Sequence, residues 1–352
     1  MHTKTTLPEN DRFLKACRNE AADCTPIWLM RQAGRYMPEY MALREKHTIL
    51  EMIRSPELAS EVTLQPIQAF DLDAAIIFAD ILTLLDELGL GLRFIGGEGP
   101  VFDRPIRTLD DVKRIEPRPP GESLAYTMDA IGQTLIKLEN RVPLIGFSGA
   151  PYTLACYAIE GKGSRDFLQA KKIMYTDPML WESLMGLLAD QVADYLIAQI
   201  DAGVHAVQLF DSWAGSLSPQ DYVQHVLPYS RRVYEKVKAY SDVPFIHFAT
   251  GSAGILKHIH EAAGTVTGVD WRIRINEARD LLGTHVPVQG NMDPLVLLGS
   301  ETEIKRQARA IIDAVDGGSG HIFNLGHGIH KTTPPANVKI LVDFVHEYSL
   351  KP

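Results

Sequence analysis

The chain has 352 residues, 45% of them hydrophobic and 22% charged, which is the balance of a globular protein rather than a disordered or fibrous one. With 35 Lys+Arg against 44 Asp+Glu the formal net charge is −9, which argues against bulk electrostatic attachment to nucleic acid or to an anionic membrane. Any anionic ligand must then be drawn in by a local basic cluster working against the overall field.

The N-terminal stretch from Met1 to Phe13 has no apolar core and no cleavage-site pattern, so it does not read as a signal peptide. No apolar run reaches the roughly 18 residues needed to span a bilayer. Cys17, Cys24 and Cys156 are odd in number and contain no Cys-x-x-Cys pair, which reads as reduced thiols. Together these features predict a cytoplasmic protein.

Short apolar runs alternate with segments of helical period along the whole chain. The runs begin at Pro26, Ala74, Pro143, Ala206, Pro244, Thr265, Val286 and His321. They are nearly continuous in apolar character, which suits strands buried on both faces of a parallel sheet. Ser55-Pro56-Glu57 predicts a helix start, with a cap, a first-turn proline and a first-turn acid, and the helix should run toward Phe70. Asp177-Pro178 opens another that Gly203 closes, and Ser218-Pro219, Ser252, Glu301 and Pro334-Pro335 start later ones. The stretch Leu88 to Ile106 breaks the rhythm with glycines and reads as a β-hairpin excursion. No linker or fixed repeat stands out, so residues 1–352 are expected to form one domain. The alternation predicts a (β/α)8 barrel, with an open doubly wound sheet as its rival.

Polar residues collect where these strands should end. The first run ends in Arg31-Gln32-Ala33-Gly34-Arg35-Tyr36 and the second in Asp80. The third leads into Ser148-Gly149-Ala150, with Tyr157 and Glu160 beyond it, and the fourth ends in Asp211-Ser212-Trp213. The fifth holds His247 and Thr250, the sixth ends in Asp270, the seventh in Asn291-Met292-Asp293, and the eighth in Asn324 through Gly328 with His327. In a barrel all of these converge on one rim, where barrel enzymes place their chemistry. Plainer roles compete: Asp270 and Asp293 as helix caps, Tyr36 and Tyr157 as packing residues, His247 as a hydrogen-bonded core histidine. Arg31 and Arg35, flanking a glycine just past a buried strand, are better explained as forks for carboxylate or phosphate than as solvated surface. The glycines from Gly89 to Gly97 lack the spacing of a dinucleotide fingerprint, and Glu160 to Ser164 imitates a phosphate loop only in part. His258 and His260 stand two apart and would diverge on a helix.

The stretches Pro26 to Tyr40 and Gly146 to Gly161 resemble the two signature segments of the uroporphyrinogen decarboxylase family. The segments around Asp80, Ser212, Asn291 and His327 follow in that family's order and spacing, so the resemblance covers essentially the whole chain. It implies a single-domain, distorted (β/α)8 TIM barrel that forms a homodimer. The implied reaction converts the four acetate side chains of uroporphyrinogen III to methyls, giving coproporphyrinogen III, with no cofactor and no metal. A protonated pyrrole can serve as its own electron sink, so the protein need supply only a proton donor and an anion facing the cation. Asp80 suits the anion. Arg31, Tyr157 and His327 complete the expected catalytic set, with Arg31 either relaying a proton or holding the leaving carboxylate, and the proton donor left open. Gln32, Ala33, Gly34, Arg35 and Ser212 are expected to bind substrate beside them, with Phe147 as an apolar wall. Two rivals remain. The related zinc-dependent methyltransferases carry His-x-Cys where this chain has His247-Phe248-Ala249, so the thiolates that zinc requires are missing. A non-catalytic tetrapyrrole-binding protein would keep the arginines but have no use for Asp80.

Overall fold

The computed structural model describes residues 7–315 and 319–351. The start of the N-terminal segment, residues 1–6, which bears on the reading that no signal peptide is present, lies outside the described residues.

Seven parallel strands curl in the order β1 (Ala75–Ile76), β4 (Leu144–Gly149), β5 (Ala206–Asp211), β6 (Phe245–Ala249), β7 (Val266–Gly268), β8 (Val288–Gln289) and β9 (His321–Ile322). The remaining two, β2 (Leu92–Ile95) and β3 (Gly99–Phe102), form the antiparallel hairpin expected between Leu88 and Ile106. The fold is therefore the distorted α/β barrel, not the open doubly wound sheet. Helices wrap the outside, the longest being Pro178–Asp201.

The eighth strand, expected from Pro26, is reduced to a single bridge between Ile27 and Phe323. Phe323 N–H donates to the Pro26 carbonyl at 2.8 Å on one side, and Asp73 N–H to the Ile27 carbonyl at 2.9 Å on the other, so the barrel does close. Beyond Trp28 the backbone ladder is replaced by side chains: Leu29 N–H donates to Gln32 Oε1 at 3.1 Å and Met30 N–H to Asn324 Oδ1 at 3.0 Å. The backbone N–H groups from Ile27 to Met30 are all satisfied, yet the segment is free to leave strand geometry at Arg31.

Several helix starts behave as read. Ser55, Asp177 and Ser218 each accept a backbone N–H three residues on, from Leu58, Leu180 and Asp221. Ser300 does the same for Glu301–Ala314. Ser252 does not cap: its carbonyl accepts from Ile255 N–H, and the helix Leu256–Ala262 begins after that turn. Asp293 caps the short helical turn Pro294–Leu298, as its plainer reading held.

Inside the barrel Trp28, Met30, Ile145, Ile246, Phe248 and Ile322 pack with Phe13 and Leu14. Those last two belong to the helix Arg12–Cys17, which plugs the end opposite the polar rim. A buried amide chain crosses this core, from Trp28 Nε1 to Gln289 Oε1 at 2.9 Å and from Gln289 Nε2 to Gln208 Oε1 at 3.1 Å. No helix among the described residues is long and apolar enough to cross a membrane.

One carboxylate ties the plugged end together. Asp73 is fully buried and accepts from Ile27 N–H at 2.7 Å, Asn10 Nδ2 at 2.9 Å and His346 Nε2 at 2.7 Å, with Arg12 3.4 Å away. It thereby joins the N-terminal segment, the closing segment and the last helix. Asp73→Ala should cost about 3 kcal/mol or more, because it leaves the buried Ile27 N–H and the half-buried Asn10 and His346 donors without their acceptor. Burial lowers the affinity of His346 for its proton, but its hydrogen bond to Asp73 and the charges of Asp73 and Asp71 outweigh it and raise the pKa. A raised folded value means the pair contributes fully below the unfolded pKa, about 6.5, and is lost as pH rises through the folded one. Chemical denaturation should show a wider stability gap between wild type and His346→Gln at about pH 6 than at about pH 9. A wider gap at the higher pH would contradict this.

Candidate active site

The site is built from the point where the closing segment turns. The Gln32 N–H bonds back to the Leu29 carbonyl at 2.9 Å, and the residue inside that turn, Arg31, has φ of 61°, a left-handed conformation uncommon for a residue with a side chain. Such strain persists only where the surroundings over-determine it. Here Gln32 does so. Its Oε1 accepts from Leu29 N–H, its Nε2 donates to the Ala74 carbonyl at 3.0 Å, and its carbonyl accepts from Tyr36 Oη at 2.7 Å. Gln32 is buried with its polar groups committed within the protein, so it scaffolds the loop. Tyr36 packs in the core and caps the same turn. Ala33 and Gly34 are partly exposed, and the side chains of Arg31 and Arg35 stand in solvent.

Arg31 crosses to the eighth strand end. A Cβ at Gly328 would press on Cγ and Nε of Arg31 at 2.6 and 3.0 Å, so the absence of a side chain there is what lets the guanidinium stem pass. The Arg31 charge acts on Asp80, Tyr157 and His327 alike. These four residues come from the first, second, third and eighth strand ends, and the barrel brings them into one electrostatic neighbourhood.

Asp80 follows β1. Its Oδ1 accepts from Leu82 N–H at 2.9 Å, and its carbonyl accepts from Thr83 Oγ1 at 2.9 Å, which fixes the carboxyl in a tight local turn. Burial raises its pKa, with the Leu82 N–H and Arg31 pulling the other way. Tyr157 sits on the helix Pro151–Glu160 with its ring stacked on Trp213 at 3.9 Å and Phe102 of the hairpin 6.5 Å away. Burial pushes its phenol up to about 12, and the charge of Asp80 adds to the rise. The phenol is thus a standing hydrogen-bond donor at neutral pH. Ser212 is half-buried directly after β5. Phe147 meets Phe210 edge to face at 5.5 Å, and Phe210 meets Phe248 at 6.1 Å, an apolar floor beneath the polar rim.

His327 is half-buried against Trp271, ring centroids 6.3 Å apart, with Arg272 lying 3.9 Å over the same indole. Arg272 is paired with buried Asp270 at 2.5 Å. Asp270 therefore anchors an arginine and the Gly251 N–H, at 2.5 Å, instead of capping a helix. The sequence named Trp213 and Gly328 only as neighbours of Ser212 and His327, and did not single out Arg272. The visible signal was an aromatic or a glycine beside each chosen polar residue, which becomes informative only once facing loops are known. His247 is buried with Nδ1 3.2 Å from the Ile259 carbonyl, as its core reading held, and does not join the rim.

Burial, then the charges of Arg31 and Arg272, pull the His327 pKa down to about 4. The imidazole is therefore neutral at physiological pH and offers one N–H and one lone pair. Ring-proton NMR should show His327 titrating at about 4 in wild type and higher in Arg31→Gln. A wild-type midpoint above about 6 would place the ring outside this field.

The uroporphyrinogen decarboxylase family model matches residues 8–348. A uroporphyrinogen decarboxylase of Roseiflexus sp. (strain RS-1) is 51% identical over 344 residues, covering 97% of this chain and 99% of the relative. That of Chloroflexus aurantiacus (strain ATCC 29366 / DSM 635 / J-10-fl) is 52% identical over 344 residues, covering 97% of this chain and 96% of its own. Among solved structures a methyltransferase from Methanosarcina mazei superposes with a TM-score of 0.82 at 19% identity, over 97% of this chain and 99% of that one, which is a likeness of fold. A match over nearly the full length at about half identity leaves no ambiguity: the chain belongs to the uroporphyrinogen decarboxylase family.

Proposed function

We propose that the chain decarboxylates the four acetate side chains of uroporphyrinogen III to methyls, releasing coproporphyrinogen III, as a carboxy-lyase of porphyrin and haem biosynthesis. The observation that carries this reading is a half-buried carboxylate, Asp80, held beside an exposed arginine, Arg31, whose charge also acts on Tyr157 and His327. A binding protein for a polyanion has no use for an acid in that position.

The chemistry follows from the charges. Protonation at a pyrrole ring carbon places positive charge on the ring and its nitrogen. The bond between the acetate methylene and its carboxylate then breaks, its electron pair forms an exocyclic double bond, and CO2 leaves. Protonation of the exocyclic carbon and loss of the ring proton give the methyl, so each step exchanges CO2 for one proton. Asp80 faces the cation and accepts from pyrrole N–H groups. In a partly dry site such fixed charge is worth more than in water, and its loss costs about 3 kcal/mol or more. Arg31 and Arg35 hold the substrate carboxylates by forked, charge-assisted hydrogen bonds. The Tyr157 hydroxyl, the Ser212 hydroxyl and the single N–H of neutral His327 orient the remaining ones, while the backbone of Gln32, Ala33 and Gly34 lies close to the ring.

The methyltransferase rival loses ground on its ligands. Cys17, Cys24 and Cys156 are all buried, and burial holds each thiol above its ordinary pKa, Cys24 at about 11. Among the described residues no group of three or more His, Cys, Asp or Glu is arranged to hold a metal ion. The working form we propose is a cytoplasmic homodimer in which each chain is one domain.

Anaerobic incubation with uroporphyrinogen III, with products resolved by carboxylate number, tests the reading. Wild type should accumulate products with seven down to four carboxylates. Asp80→Asn should lose about a hundredfold or more in kcat, the equivalent of the carboxylate's electrostatic contribution. Binding by wild type with release of unchanged tetrapyrrole would favour the non-catalytic alternative instead.

A further inference from the structure

Behind the rim, between the β5–β6 pair and the helices Pro151–Glu160 and Leu256–Ala262, runs a polar chain that the reaction described above does not use. Asp211 ends β5 and His247 lies in β6, and both are fully buried. Thr153 Oγ1 donates to Asp211 Oδ1 at 2.8 Å and accepts from the Trp213 N–H at 3.3 Å. The Trp213 ring in turn stacks on Tyr157 at 3.9 Å with 30° between planes. A continuous path thus leads from a buried carboxyl to a side chain of the site.

At its other end, Asp211 Oδ2 faces His247 Nε2 across 4.0 Å, and neither atom has a hydrogen-bond partner among the described residues. The Ile259 carbonyl can only accept, so its contact with His247 Nδ1 assigns the ring proton to Nδ1 and leaves Nε2 of a neutral imidazole as a lone pair. A carboxylate turned toward that lone pair would oppose two acceptors in a dry wall. A carboxylic acid presents a hydrogen instead. Burial favours the same pairing, lifting the Asp211 pKa to about 7 and lowering that of His247 to about 4.

We propose that Asp211 is a positioning residue for the decarboxylation site, held as a neutral acid between Thr153 and His247, so that Thr153 fixes the Trp213 backbone and, through the ring stack, Tyr157. This rests on the reading of the site given above, because it gives Tyr157 a place against substrate. Asparagine at 211 reproduces a neutral acid, accepting from Thr153 and donating toward His247. Valine at 153 keeps the shape of threonine but loses both hydrogen bonds.

The test compares Asp211→Ala, Asp211→Asn, Thr153→Val and Thr153→Ser with wild type. The readouts are kcat and KM on uroporphyrinogen III, and Trp213 emission taken as the difference from a Trp213→Phe partner in each background. Asp211→Ala and Thr153→Val should lose about tenfold or more in kcat and shift the Trp213 emission, while Asp211→Asn and Thr153→Ser stay within about threefold with emission unchanged. Should Asp211→Ala not fold, the near-isosteric Thr153→Val decides. A folded Thr153→Val with wild-type kcat and emission overturns the proposal, and so does an Asp211→Asn as impaired as Asp211→Ala. If wild type fails to decarboxylate, the functional reading falls, and the emission series still judges the Asp211 chain.

Discussion

The whole rim depends on how the barrel closes. Its first segment pairs with neighbours on both sides at Ile27 but then surrenders its ladder to the side chains of Gln32 and Asn324. A regular strand would carry Arg31 onward in extended geometry. The interrupted one turns it into a left-handed conformation, where the side chain passes over Gly328 toward the mouth. The buried amide of Gln32 holds that turn, and Asp73 anchors the start of the same segment at the barrel's other end. Position of charge at the site is therefore a consequence of a strand that stops early.

Two opposed needs meet in that position. A chain of net charge −9 must take up a substrate with eight carboxylates, which requires exposed arginines. The same site must stabilise a cation, which requires a carboxylate kept out of bulk water. On the proposed reading Arg31 meets the first need and Asp80 the second, and the two lie close enough to influence one another: the arginine counters the rise in pKa that burial imposes on the acid. Tyr157 and His327 are uncharged at neutral pH beside them, so the hydrogen bonds proposed for them bring no further charge to balance.

Much of this was legible in the sequence because it rests on local chemistry. Near-continuous apolar runs mark strands buried on both faces, and Ser55, Asp177 and Ser218 cap their helices through contacts three residues away. The glycine-broken hairpin and the convergence of polar strand ends follow from the same kind of reasoning. What was hidden depends on contacts between distant segments. Nothing near Pro26 announces that Asn324 will intercept a ladder bond, and nothing near Phe13 announces that its helix plugs the barrel. Gln32, expected beside a ligand, also braces the turn, a role the sequence hid because its partners Ala74 and Tyr36 are not its neighbours in an extended chain. Trp213 was visible only as an aromatic after Ser212, and its stack on Tyr157 requires the third and fourth strand ends to meet.

The central claim is a division of labour, with the arginines holding the anionic substrate and Asp80 serving the cation formed during reaction. The most direct measurement is the anaerobic equilibrium Kd of uroporphyrinogen III for Asp80→Asn beside wild type. Asparagine still accepts from pyrrole N–H groups and removes a charge that repels the carboxylates, so the account predicts a Kd within about threefold of wild type or tighter. A Kd weakened by about tenfold or more would mean that Asp80 acts chiefly in binding, and the division would fail.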